Sequence, residues 1–415
     1  MSLISVVSAR FSQAGPVIEG VLERTGFPLI DDDVLVERAV ERSGMSDSAI
    51  ARAFSSRRSV FNSFTRECER ALAHLKVEVA EAVARDQVVI SGFGAHLIPE
   101  TVSHALRVCL VADLPSRVET ARRVENLEEK SAARQIRRYD EDLGVWVKEQ
   151  RGHQDPWSPS LYDIVVPTDK TTVGDAVDLI VENLGNEAVQ PTAASRQAVE
   201  DFLVAARVER ELANAGHHVD VGCRAGRVTL TINKHVLMLG RLEDELKEVA
   251  GRVEGVRSVE TKVGKEFYQT DIYRKVDFET PSRVLLVDDE REFVQTLSER
   301  LEMRDVGSAV AYDGESALQM VEQDEPDVMI LDLKMPGIDG IEVLRRVKAT
   351  NPHIEVIILT GHGSDEDCKT CMGLGAFAYL QKPVDIEALS ETLRKANEKA
   401  RESARSRERK DETGS

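Results

Sequence analysis

Nowhere in its 415 residues does this chain hold an apolar run approaching the ~20 residues that a bilayer-crossing helix requires, so no membrane span is expected. Positive charge is in deficit: 54 lysines and arginines stand against 73 aspartates and glutamates, a formal charge of −19. That balance argues against non-specific binding to nucleic acid or to an anionic membrane. Cysteine is sparse and odd in number, five in all, which fits a reducing cytoplasm better than a disulfide framework. The start, Met1-Ser2-Leu3-Ile4-Ser5-Val6-Val7, lacks a basic flank and soon turns polar, so it is expected to form a strand rather than a signal peptide. The expectation is a soluble, cytoplasmic chain of two to four domains, at roughly 100–200 residues each.

The last third carries the most information. Arg283-Val284-Leu285-Leu286-Val287 is a short apolar run that breaks into Asp288-Asp289-Glu290. Asp327-Val328-Met329-Ile330-Leu331 runs into Asp332, then Leu333-Lys334-Met335-Pro336-Gly337. Glu355-Val356-Ile357-Ile358-Leu359 ends at Thr360, and Ala376-Phe377-Ala378-Tyr379-Leu380 stops just short of Lys382-Pro383. Helix-length amphipathic stretches lie between and after them, at about 293–303, 314–322, 341–350, 365–374 and 386–400. Short, fully apolar runs alternating with helices predict buried parallel strands in a doubly wound sheet. In such a sheet ligands sit beyond the carboxyl ends of the strands, where each of these polar residues falls.

Clustered carboxylates repel one another and favour a hard divalent cation, for which Mg2+ is the choice among oxygen ligands and phosphate. Asp332 can then act as a nucleophile towards a phosphoryl donor, because carboxylates form acyl phosphates. Lys382 would offset charge on the transferring oxygens, and the Thr360 hydroxyl could hydrogen-bond the group once attached. One aspartate at a strand end is usually a helix cap; five such positions in order are much harder to obtain by chance. The stretch from Pro281 to Arg401, including DLKMPGIDG at Asp332–Gly340, closely resembles the receiver domain of two-component response regulators. The resemblance implies a flavodoxin-like (βα)5 fold and a domain that catalyses phosphoryl transfer to its own Asp332. It also implies that Asp289, Asp332 and the Lys334 carbonyl bind the metal, Asp288 supports it through water, and Tyr379 moves with Thr360. A histidine kinase or phosphotransfer protein would be the donor, and a receiver-like fold kept for docking alone is the plainer alternative. Cys368 and Cys371 form a CxxC on a predicted helix with no second ligand pair near, so packing is the default reading.

The first 185 residues also alternate strands (Leu3–Ser8, Gln87–Ser91, Leu106–Ala112, Asp163–Pro167) with helices such as Thr65–Arg85 and Ser116–Arg123, an α/β pattern large enough for its own core. A phosphate-binding loop after the first strand would use glycines and a lysine. Ser8-Ala9-Arg10-Phe11-Ser12-Gln13-Ala14-Gly15-Pro16 has one glycine and no lysine. The region nevertheless resembles the cytidylate-kinase-like family, through Gly26-Phe27-Pro28-Leu29-Ile30-Asp31-Asp32 and Val89-Ile90-Ser91-Gly92-Phe93-Gly94-Ala95. Arg107-Val108-Cys109-Leu110-Val111-Ala112 with Arg117, and Trp157 to Val165, extend the likeness. Against the family pattern, Ser12 and Ala14 stand where glycines are expected, and Leu143 where an arginine should follow Asp140. The resemblance implies a P-loop-kinase-like fold, with nucleotide as the ligand it would take. Arg10, Arg117, Arg122, Arg123, Arg134, Arg137 and Arg138 could form an anion-binding lid; solvated helix faces paired with Glu119, Glu125, Glu128 and Glu129 are the simpler reading.

Residues 186–196 read as a polar linker, and 197–266 as a small α+β module of two helices and three strands. That module resembles a BON-type domain through Gly226-Arg227-Val228-Thr229-Leu230 and Gly255-Val256-Arg257-Ser258-Val259. His217, His218 and His235 lack partners at ligand spacing and are expected to pack or be solvated. Residues 267–280 form a second linker, and 401–415 a frayed helix end and disordered tail. Nothing resembling a helix-turn-helix follows the receiver-like region. The expectation is a response regulator whose output runs through a degenerate kinase-like domain rather than DNA, with a homodimer left open. An active nucleoside-monophosphate kinase under receiver control is the alternative.

Overall fold

The computed structural model describes residues 2–55, 62–236, 238–265, 267, 283–302, 306–361 and 363–413. Its contacts divide the chain into two compact units, Met1–Arg58 with Glu67–Arg274, and Ser59–Arg66 with Lys275–Ser415.

The first unit is built on a parallel sheet of β1 (Leu3–Ser8), β2 (Leu29–Ile30), β3 (Val89–Ser91), β4 (Ala105–Val111) and β5 (Ile164–Pro167), ordered β2-β3-β1-β4-β5. Alternation along β1 sends Leu3 and Val7 to one face, and Ile4 and Val6 to the other, as the two-residue period of a strand requires. On the first face they meet helices Asp32–Ser43, Glu67–Arg85 and Glu129–Arg151 through Leu35, Leu75 and Trp146. On the second they meet helices Ala14–Thr25 and Val173–Leu184 through Val17, Val21 and Ile180. The short β2 escapes sequence reading because two residues show no period. The helix expected from Thr65 begins at Glu67, after Arg66 adopts a positive φ of 51°.

Asp32 ties this body together. The Asp31 side chain caps its helix, whereas Asp32 turns inward and accepts the N–H groups of Phe93 (2.8 Å) and Gly94 (2.9 Å). Gly92, at φ 104°, leaves the space that the carboxylate fills; a Cβ there would collide with it. Burial pushes the Asp32 carboxyl up to about 7, against the pull of those two N–H donors.

Residues 186–196 are not a slack connection. Val189 is buried in the second-face core, its carbonyl accepts the Ser2 hydroxyl at 2.7 Å, and Thr192 with Ser195 forms a capping box that starts helix Ala193–Asn214. That helix packs on Glu67–Arg85, where Val77 and Ala80 meet Ala206, with Lys76 and Glu209 paired at 2.7 Å. Beyond it stand β6 (Asp220–Arg224), β7 (Arg227–Ile232) and β8 (Ser258–Val263), in the order β6-β7-β8. β6 is antiparallel to β7, and β8 parallel. Val228, Leu230 and Ile232 of β7 face Val208, Leu212, Leu242 and Leu246, so both helices cover one side of the small sheet. His217 is buried and lies 3.4 Å from Glu245, an acidic neighbour that sequence spacing did not reveal.

The second unit is a parallel sheet of β9 (Val284–Val287), β10 (Ser308–Ala311), β11 (Val328–Leu331), β12 (Glu355–Thr360) and β13 (Ala378–Gln381), ordered β10-β9-β11-β12-β13. Counted within the unit this is 2-1-3-4-5, the flavodoxin-like order. Helices Gly314–Gln323 and Gly340–Thr350 cover one face, Arg291–Glu302 and Ile386–Thr413 the other. The final helix runs to Thr413, through the segment expected as a disordered tail; arginine and glutamate dominate there, and both favour helix. Of the second expected linker only Phe267 is described, buried against the small sheet; 268–280, like Pro281, lies outside the described residues.

Because Asp32 titrates near 3.8 when unfolded and near 7 when folded, its contribution to stability is fully present below pH 3.8 and is lost as pH rises through about 7. Both tryptophans, Trp146 and Trp157, lie in the first unit. Denaturation followed by their fluorescence should show the stability of the wild type, relative to Asp32→Asn, falling between these pH values and level above them. A difference independent of pH would refute the assignment.

Candidate functional site

The carboxyl ends of β9 and β11 are adjacent, and each ends in acid. Oxygens of Asp288, Asp289 and Asp332 lie within 4.8 Å of one another. Asp288 and Asp332 are buried, at 4% and 5% exposure. The backbone N–H of Asp332 donates to Val287 O at 2.9 Å, its own Oδ1 accepts from Leu333 N at 2.7 Å, and Asp288 Oδ1 accepts from Glu290 N at 2.9 Å. Asp288 and Asp332 are thus each held at the strand end that carries them.

Lys382 reaches the cluster from beyond β13. Its ammonium lies 2.5 Å from Asp288 Oδ2, 3.2 Å from Glu290 Oε1 and 3.4 Å from Asp332 Oδ2, and 4.2 Å above the Phe293 ring. The Lys382 N–H donates to Thr360 O at 2.9 Å, which sets where the side chain starts; the Lys382-Pro383 peptide is cis. Burial works against the ammonium, yet the Asp288 hydrogen bond and the charges of Asp288 and Asp332 hold its pKa above the ordinary value. For Asp288 burial wins, pushing the carboxyl up against the Lys382 bond. Glu290 and Phe293 were not singled out from sequence. Glu290 follows the acidic pair directly and Phe293 lies in the first turn of the next helix, so adjacency was the available signal.

Thr360 ends β12, fully buried and opposite Gln381 of β13, while Tyr379 lies opposite Ile358; Tyr379 Oη and Thr360 Cγ2 both lie next to Gly363. The Tyr379 hydroxyl is buried with no hydrogen-bond partner among the described residues, packed where a Cβ on Gly363 would collide with it. Burial, with Asp367 and other negative charge around it, raises the phenol pKa. Gly340 is equally constrained, since a Cβ there would strike the Asp332 carbonyl. The structure therefore gathers Asp288, Asp289, Asp332, Lys382, Thr360 and Tyr379 at one sheet end. Lys334 lies two residues past Asp332 with an exposed side chain. Three hard oxygen donors with a single ammonium among them suit a divalent cation such as Mg2+. The CxxC supplies packing: Cys371 is buried in the core and burial raises its thiol to about 11, far from a reactive thiolate.

In the first unit, the loop after β1 is held by side chains from other elements of the unit. Arg117 is buried, donating from Nε to Arg10 O (2.8 Å) and from both terminal nitrogens to Asp140 (2.9 and 2.7 Å). Tyr139 Oη donates to Ser8 O at 3.1 Å, and Thr168 Oγ1 to Ser12 O at 2.5 Å. Phe11 and Gln13 take positive φ of 63° and 57°, a conformation glycine adopts more readily. Arg117 thus departs from the solvated-face expectation, while Arg122, Arg123, Arg134, Arg137 and Arg138 are exposed.

Residues 284–394 match the family described as response regulator receiver domain, and residues 12–170 the cytidylate kinase-like family. Sporulation initiation phosphotransferase F of Bacillus subtilis is 34% identical over 113 residues, 27% of this chain and 91% of that protein. Response regulator MprA of Mycobacterium avium is 35% identical over 112 residues, 27% of this chain and 49% of that protein. The chain spans about half the length of the first curated relatives it matches. A crystal structure of a response regulator receiver domain protein from Clostridium thermocellum is 34% identical, covering 29% of this chain and 97% of that one at a TM-score of 0.28.

The packing of Tyr379 against Gly363 gives a testable pair. Tyr379→Phe should be neutral or stabilising by up to about 1 kcal/mol, since it removes an unpaired buried hydroxyl. Gly363→Ala should cost about 1–3 kcal/mol by overpacking, and less in a Tyr379→Ala background. Calorimetry of the full chain, read at the transition of the second unit, would measure both; additive effects would mean the two residues do not meet.

Proposed function

Because this chain belongs, through residues 284–394, to the response regulator receiver family, we propose that Asp332 accepts a phosphoryl group from a histidine kinase or phosphotransfer protein. The observation that carries this reading is the convergence of Asp288, Asp289 and Asp332 around the Lys382 ammonium. An Asp332 carboxylate oxygen attacks phosphorus, the phosphorus–nitrogen bond of the phospho-histidine breaks, and the imidazole leaves with its electron pair. Asp289, Asp332 and the Lys334 carbonyl would hold Mg2+, with Asp288 supporting it through water, and the ion would offset charge on the phosphoryl oxygens. Lys382, already 3.4 Å from Asp332, is placed to pair with an oxygen of the attached group, and the Thr360 hydroxyl to hydrogen-bond another. Tyr379 then follows the Thr360 loop, and the altered face changes what the domain binds.

The output we assign to the first unit is docking or sensing in the cytoplasm rather than catalysis or DNA binding. Ser12 and Ala14 in place of glycines, and the commitment of Arg117 to Asp140 and to the Arg10 carbonyl, support this. The match of residues 12–170 to a kinase-like family favours a second reading, an active nucleoside-monophosphate kinase governed by the receiver.

With a labelled phospho-histidine donor and Mg2+, the wild type should take up label, and Asp332→Asn should lose at least ~100-fold of it, as should wild type in excess EDTA. Label retained by Asp332→Asn would sink the proposal. Mg-ATP with CMP should yield no ADP; turnover above background would instead select the second reading.

A further inference from the structure

The first unit contains a cleft of about 950 Å³ that the proposed function leaves unused. Leu97 and Pro99 form one wall, and Ala198, Phe202 and Ala205 of helix Ala193–Asn214 the other, with Val221 of β6 closing it. Its size is within the range of small-molecule sites, and its lining joins these apolar walls to charged groups, among them Lys76, Arg151, Asp201, Glu209 and Arg224. The loop residues Arg10 and Ser12 are not part of it, and the helix wall lies beyond the 12–170 match.

The charge in the cleft is unevenly compensated. Lys76 is paired with Glu209, and Asp201 accepts the N–H groups of Ala225 and Gly226 at 2.9 and 3.2 Å. Arg151 differs. Its side chain is only 11% exposed, its Nη2 donates to Ile98 O at 2.5 Å, and its carboxylate neighbour Glu100 is 3.8 Å away and 80% exposed. Arg107, outside the lining, is spent on the carbonyls of Pro99 (2.9 Å) and Val102 (3.4 Å) and repels Arg151. Burial, with Arg151 beside it, drives the His96 pKa down to about 3, so the imidazole is neutral; of the two guanidiniums in the lining Arg224 is exposed and Arg151 is the desolvated one. A half-desolvated guanidinium at an apolar cleft, short of negative partners, is complementary to an anion borne on an apolar body.

We propose that this cleft binds a small amphipathic anion, an aromatic or aliphatic body carrying one carboxylate, phosphate or sulfonate that pairs with Arg151. Such a ligand would touch both the kinase-like body and helix Ala193–Asn214, making the first unit a small-molecule sensor.

Anilinonaphthalene sulfonate is a probe of this chemistry, and its uncharged relative N-phenylnaphthylamine is the control. Titrated into the full chain by fluorescence, the sulfonate should saturate one site and bind about tenfold more weakly to Arg151→Gln, the loss of one charge-assisted hydrogen bond. The uncharged probe should bind wild type and Arg151→Gln alike. Ala205→Trp, which fills the cleft from an accessible helix position, should remove both signals with circular dichroism unchanged. It also decides the matter if Arg151→Gln does not fold. Absence of a saturable site, sulfonate affinity unchanged in either variant, or equal weakening of both probes by Arg151→Gln would each overturn the proposal.

Discussion

The 2.5 Å contact between Lys382 and Asp288 is the interaction on which the C-terminal site depends. Three carboxylates whose oxygens lie within 4.8 Å of one another are mutually repulsive. A pair of like charges at 4 Å costs about 4 kcal/mol at an effective dielectric near 20. The ammonium offsets that repulsion, and it is delivered by a strand end remote in sequence. Its position follows from one backbone bond, Lys382 N–H to Thr360 O, in register with the β12–β13 pairing. The same register sets Tyr379 opposite Ile358 and Gln381 opposite Thr360, so the pairing that assembles the acidic site also positions Thr360 and Tyr379, the two residues expected to respond to it.

The first unit solves a different problem. Its sheet has the parallel order and flanking helices of a nucleotide-binding body, yet the loop after β1 is fastened by protein. Ser8, Arg10 and Ser12 each give a carbonyl to a side chain from another element, and Arg117 is neutralised by Asp140. Carbonyls facing inward onto donors are the opposite of N–H groups offered outward to phosphate. Ser12 and Ala14 therefore belong to a turn fastened through its carbonyls by other elements, with the buried Ser12 hydroxyl left without a hydrogen-bond partner among the described residues.

Much of this was legible in the chain, for physical reasons. Buried parallel strands must be nearly all apolar, so β9, β11, β12 and β13 stood out, and the polar residue after each marked the site. β10 did not, because Ser308-Ala309-Val310-Ala311 is small and weakly apolar. β2 is too short to show any pattern. Contacts made across the fold were silent: Glu290 on Lys382, Asp32 on the 93–94 N–H groups, Arg117 on Asp140. The polar run at 186–196 misled because its capping residues, Thr192 and Ser195, look like linker composition until a helix follows them.

Helix Ala193–Asn214 serves two cores at once. One side packs on Val77 and Ala80 of the kinase-like body, and its later turns carry Val208 and Leu212 beneath the small sheet. A chain cut ahead of it would leave an apolar stripe bare on helix Glu67–Arg85, an adhesive surface for other copies. The three-stranded module is for that reason no interchangeable cassette: moved without the kinase-like body, it would carry the bared face of its own helix with it.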